Sequence, residues 1–128
     1  MIKACVGAVC ALLLLATNSA AQMPSETERA LAHALLRDTV AMDTSTGRQT
    51  IVLAQTLAQR FLAAGFAEDD VRLLSVGDTA GLLVRYRGDG SGGRPILVLA
   101  HMDVGPALRS DWERDPFALV EENGFFFG

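Results

Sequence analysis

Apolar residues recur along this chain with changing periods, and each period predicts a different element. Leu31, Ala34, Leu35 and Val40 fall on one face at helical spacing. Ser25 stands where a cap is needed, and Glu28 three residues later completes a capping box. Glu26 and Glu28 also suit the positive end of a helix dipole. Asp43-Thr44-Ser45-Thr46-Gly47 is a polar break rich in turn formers. A second helix is expected from about Gln49, carrying Val52, Leu53, Leu57, Phe61 and Leu62. Gly65 should end it as a left-handed cap, with apolar Phe66 beyond. Val71 to Val76 and Ala80 to Tyr86 read as antiparallel strands around Gly77-Asp78.

A flexible connection, Arg87 to Arg94, leads into Pro95-Ile-Leu-Val-Leu-Ala-His-Met-Asp-Val104. A short unbroken apolar run entered by proline predicts a strand buried on both faces, as in the middle of a parallel sheet. His101 and Asp103 fall at or just past its carboxyl end. Side chains two apart in extended chain point the same way, so imidazole and carboxylate can enter one site. In open α/β sheets ligands bind at that edge. Val104 to Phe117 has no regular period and is expected to be a structured loop pinned by burial of Trp112 and Phe117. Ala118 to Glu121 and Phe125 to Phe127, joined through Glu122-Asn123-Gly124, form a hairpin pattern.

The amino end changes how composition is read. Lys3, the apolar stretch Ala4 to Ala16 and the small residues Ser19-Ala20-Ala21 predict a secretory signal peptide over residues 1–21, with an uncleaved anchor as the alternative. The expected product, residues 22–128, is exported, periplasmic or secreted, and has no membrane association after cleavage. Both cysteines and the single lysine lie in the leader, so no disulfide is possible beyond it and the net charge there is −5. A net negative chain without a basic cluster is a poor partner for nucleic acid. The mean hydropathy of +0.27 is raised by the leader and does not imply a membrane protein.

Several groups look chemical in isolation. Gly88, Gly90 and Gly93 have the spacing of a nucleotide-binding turn, but Pro95 and a strand come next, so no helix start is available to hold phosphate. Arg87-Gly88-Asp89 matches an adhesion tripeptide, which chance in a glycine-rich loop explains equally well. His33 has no acid or second histidine at helical spacing and reads as a histidine without a ligand role. Glu121 and Glu122 abut a turn, where solvated acids are ordinary.

His101-x-Asp103 gains weight from the residues on its carboxyl side: Val104-Gly105-Pro106, Trp112, Asp115-Pro116-Phe117, then Glu122-Asn-Gly-Phe-Phe-Phe-Gly128. In order and distance these motifs resemble the aminoacylase and carboxypeptidase family of zinc metallopeptidases, which includes dipeptidases, carboxypeptidase G and succinyl-diaminopimelate desuccinylases. The resemblance covers about the last third of the chain. It implies an α/β fold, the amino-terminal part of a three-layer zinc-exopeptidase catalytic domain with a central mixed sheet flanked by helices.

It also implies a site holding two Zn2+ ions. The histidine matching His101 would bind one of them, and the aspartate matching Asp103 would orient that site without touching the metal. The family's bridging aspartate, glutamate pair, further acidic ligand and late histidine come after the glycine matched by Gly128, so residues 22–128 are expected to be an inactive amino-terminal portion. The complete enzyme would cleave a peptide or an N-acyl amino acid beside a free carboxylate, and any homodimer would belong to the full-length protein. The alternative is an exported, non-catalytic binding or interaction module derived from the same fold.

Overall fold

The computed structural model describes residues 23–128, apart from the Arg48 side chain. The expected signal peptide, Met1 to Ala21, lies outside the described residues. Among them, no helix is long and apolar enough to cross a membrane.

Helix α1 spans Glu26–Val40 and starts as its capping chemistry requires. The Glu28 amide donates to Ser25 Oγ at 3.2 Å, while the Ser25 amide donates to Glu28 Oε2 at 2.6 Å. The bonds from the Ser25 side chain and backbone hold the Glu28 carboxyl below the usual carboxylate range. Helix α2 spans Gly47–Ala63, two residues earlier in its start than the periodicity predicts, and Gly65 terminates it at φ +91°. Such a backbone favours glycine because a Cβ would crowd the carbonyl oxygen.

Strands β1 (Val71–Val76) and β2 (Thr79–Val84) pair antiparallel, with Val71 opposite Val84 and Val76 opposite Thr79. Gly77 at φ +60° takes the first central position of their two-residue turn, the place where a type II′ turn needs glycine. Strands β3 (Val120–Glu122) and β4 (Phe125–Phe127) form a second hairpin. Its central residues Asn123 and Gly124 both have positive φ, 53° and 80°, as a type I′ turn demands.

The core is small and sits where α2 crosses the β1–β2 hairpin. Leu53, Ala54 and Ala58 are its buried apolar residues among those described. Helix α1 buries none of its residues and is tied to α2 by an ion pair between Asp38 and Arg60. A tighter lock closes the hairpin's open end. The buried Asp70 carboxylate accepts from Arg85 Nε through one oxygen and from Arg87 Nε through the other, each at 2.6 Å, and the Arg85 amide donates to the Asp70 carbonyl at 2.8 Å. Arg87 first, then Arg85, hold this carboxyl below its ordinary range.

Two expectations are corrected. Ile96 to Ala100 forms no strand: the segment has no ladder partner among the described residues, and the side chains of Ile96 to Leu99 are 74 to 91% exposed. An apolar run becomes an interior strand only with neighbours on both edges and a layer over each face, and periodicity reports none of these. The architecture is accordingly a mixed α/β arrangement of helices with two small antiparallel sheets. The second correction concerns the loop before β3. Pro116 is buried and Phe117 half-buried, but the Trp112 ring stays exposed.

Candidate functional site

His101 and Asp103 come together as their spacing suggests, though through an atom that spacing does not identify. His101 Nδ1 lies 2.8 Å from the backbone carbonyl oxygen of Asp103 and 3.6 Å from its carboxylate Oδ1. A carbonyl can only accept, so Nδ1 carries the proton and donates. In the neutral ring the lone pair is then on Nε2, the tautomer that a metal-binding imidazole adopts when its other nitrogen is held. Both side chains are well exposed, so Nε2 is open to a ligand.

Beside them lies a cavity of about 450 Å³. One wall is Ala100 to Asp103, another is the start of β2 at Thr79 to Gly81, and the third is the loop from Thr44 into the first turn of α2. The α1–α2 break, which reads in the sequence only as a turn, therefore sits against the candidate site. Its local order comes from Asp43, whose Oδ1 accepts from the Ser45 amide at 3.1 Å and from the Ser45 hydroxyl at 2.5 Å. Thr44 and Thr50 are buried, an unusual concentration of hydroxyl groups for a chain with so small a core.

The second histidine lines a different cavity, between α1 and the β3–β4 hairpin. His33 Nε2 is 3.5 Å from Glu121 Oε2, and its ring is 5.5 Å from that of Phe126. The missing acid is thus supplied from a distant hairpin, where helical spacing could not reveal it. Glu122 instead pairs with Arg114, so the two consecutive glutamates serve separate partners and form no shared carboxylate site.

A catalytic zinc takes about three protein ligands and keeps one position open. Among the described residues no group of three or more His, Cys, Asp or Glu side chains is placed to hold a metal ion. His101 fits one ligand of such a site, and the described residues do not complete it.

No family model and no solved structure matches the chain. Two proteins are similar over a short part of it, and both carry the names of enzymes that act on acylated amino acids. The acetylornithine deacetylase of Pasteurella multocida is 36% identical over 76 residues, which is 59% of this chain and 19% of that protein. The mouse (Mus musculus) N-fatty-acyl-amino acid synthase/hydrolase PM20D1 is 46% identical over 35 residues, 27% of this chain and 7% of that protein. The chain thus has partial similarity to amide hydrolases and spans only a small part of either relative's length.

Proposed function

We propose that this chain is the amino-terminal portion of an exported, zinc-dependent hydrolase that cleaves the amide bond of an N-acyl amino acid or small peptide. The observation that carries this reading is the His101 contact: Nδ1 donates to the Asp103 carbonyl, leaving an exposed Nε2 as a metal ligand. The partial similarity to two enzymes named for acylated amino acids supports the substrate class. In the complete protein His101 would hold zinc together with ligands from elsewhere in the polypeptide, and the ion would supply Lewis-acid polarisation of the scissile carbonyl. Asp103 keeps the imidazole in its tautomer and orientation through the carbonyl, and its carboxylate adds negative charge 3.6 Å from Nδ1.

With one metal nitrogen in place, the 128-residue chain should bind zinc weakly and turn over no amide. The test tracks imidazole nitrogen signals during a zinc titration, then assays N-acyl amino acids with the protein extended along its reading frame. Zinc should move the His101 signals and spare those of His33. In the extended protein, His101→Ala should abolish hydrolysis, and Asp103→Asn, which keeps the backbone carbonyl and removes only the carboxylate charge 3.6 Å from Nδ1, should lower zinc affinity or activity by less than about 10-fold. Zinc that ignores His101, or full activity in the His101→Ala protein, would refute the proposal. The competing reading is an exported interaction module, favoured by the exposed apolar run Ile96 to Leu99. It predicts full-strength partner binding by the His101→Ala chain and no hydrolysis in any form.

A further inference from the structure

Helix α1 buries none of its residues, and one of the contacts that hold it in place depends on a proton. The Asp38 pair with Arg60 ties it to α2 near its carboxyl end. Its other attachment is to the β3–β4 hairpin, across a cavity of about 700 Å³. Val40 comes so close to the end of that hairpin that a Cβ on Gly128 would meet Val40 Cγ1 at 2.7 Å. In the middle of α1 stands His33.

The two hairpin residues that meet His33 are a single cross-strand pair. Glu121 is opposite Phe126 in the register, so their side chains share one face. His33 Nε2 is 3.5 Å from Glu121 Oε2, too far for a good neutral hydrogen bond, and its ring centre is 5.5 Å from that of Phe126. Both contacts favour a cation. An imidazolium makes an ion pair with Glu121, and an aromatic ring attracts positive charge within about 6 Å of its centre. A neutral imidazole gains neither.

The other charged groups lining the cavity already have partners. Arg29, four residues before His33, pairs with Glu26 at 3.6 Å, and Arg37, four residues after it, pairs with Asp38 at 3.0 Å. At that helical spacing both arginines oppose a further positive charge, and their own acids offset them. On the hairpin, Glu122 is taken by Arg114, whereas Glu121 has no ion-pair partner besides His33 among the described residues. Glu121 is therefore the unneutralised charge that meets His33 when the ring takes up a proton.

We infer that His33 is a proton-operated latch, whose imidazolium clamps α1 to the Glu121–Phe126 pair and whose neutral form releases it. Because docking favours the protonated ring, it strengthens as pH falls. Imidazoles change charge between about pH 5 and 8, so α1 is held on the acid side of that range and loosened on the alkaline side. The latch rests on the contacts of His33 alone and is independent of zinc at His101.

The test measures amide hydrogen exchange of the 128-residue chain at pH 5.5 and pH 8, each rate divided by the intrinsic rate at that pH. Protection of the α1 and β3–β4 amides should be about two- to five-fold higher at pH 5.5, the size expected of an exposed ion pair. The β1–β2 amides should show no difference. His33→Gln and Glu121→Gln, one on each side of the contact, should each abolish the effect. His33→Lys, charged at both pH values, should carry the acid-form protection to pH 8. His101→Gln should leave the difference intact, and circular dichroism checks that each variant is folded.

Equal protection at the two pH values in the parent chain would overturn the inference. So would a difference that survives in His33→Gln or Glu121→Gln, one that disappears in His101→Gln, or one shared equally by β1–β2.

Discussion

Replacing Gly47 with alanine sets two backbone effects against each other, and the structure decides between them. Alanine is the better helix former, and its smaller unfolded-state freedom alone would stabilise by about 0.4 to 1 kcal/mol. A Cβ on Gly47, however, would lie 2.6 Å from the Asp78 carbonyl oxygen and 2.9 Å from Thr79 Cγ2. The threonine methyl can turn away. The carbonyl cannot, because it belongs to the two-residue turn joining β1 to β2, so α2 or the hairpin must shift by several tenths of an ångström. Overpacking of this kind costs about 1 to 3 kcal/mol.

The net expectation for Gly47→Ala is a loss of about 1 to 2 kcal/mol, the packing cost outweighing the entropic gain. For a domain of this size that lowers Tm by roughly 4 to 15 °C. Thermal melts by circular dichroism and urea titrations would measure it, with Gly88→Ala as control, since a Cβ there meets nothing within 4 Å. The control should stay within about 0.5 kcal/mol of the parent. A Gly47→Ala protein as stable as the parent, or more so, would refute the close approach of α2 to the β1–β2 turn.

Three further outcomes are expected. Leu53→Ala should cost about 2 to 3 kcal/mol in urea unfolding, the low end for a buried leucine because the core it joins is small. Asp70 has its carboxyl held below the ordinary range in the folded state, so its pairing stabilises fully above about pH 4 and is lost as pH falls toward the folded value. In melts against pH, Asp70→Asn should flatten that acid limb, and an unchanged limb would rule out the pairing. Leu97→Lys should reduce self-association measured by light scattering without altering the melt, because the side chain is exposed and the run around it is uncharged.

How much of this could be read from residues alone depended on the range of the interaction. The Ser25 to Glu28 box, the Gly65 terminus and the turns at Gly77-Asp78 and Asn123-Gly124 are determined within a few residues, and all appear where the pattern puts them. The approach of His101 to Asp103 was legible for the same reason, a two-residue spacing in extended chain. Burial was not, because it depends on what lies across a face. Ile96 to Leu99 has the composition of an interior strand and no neighbours among the described residues. Thr44 has the composition of a surface turn and is buried. The His33 to Glu121 contact joins an early helix to the last hairpin, beyond any local period.

The carboxylate of Asp70, claimed on each oxygen by a different arginine, bears on how the first hairpin finds its one alignment. Sliding β2 past β1 by one residue would turn Leu82 and Val84 outward, an error that hydrophobic sorting corrects. A slide by two leaves every face as it was, and sorting by polarity is blind to it. Arg85 and Arg87 are themselves two apart, so that slide would bring only one of them to Asp70 and strand the second oxygen of a nearly dry anion. The paired guanidinium groups act as a vernier, counting the strand in steps that greasy side chains cannot resolve.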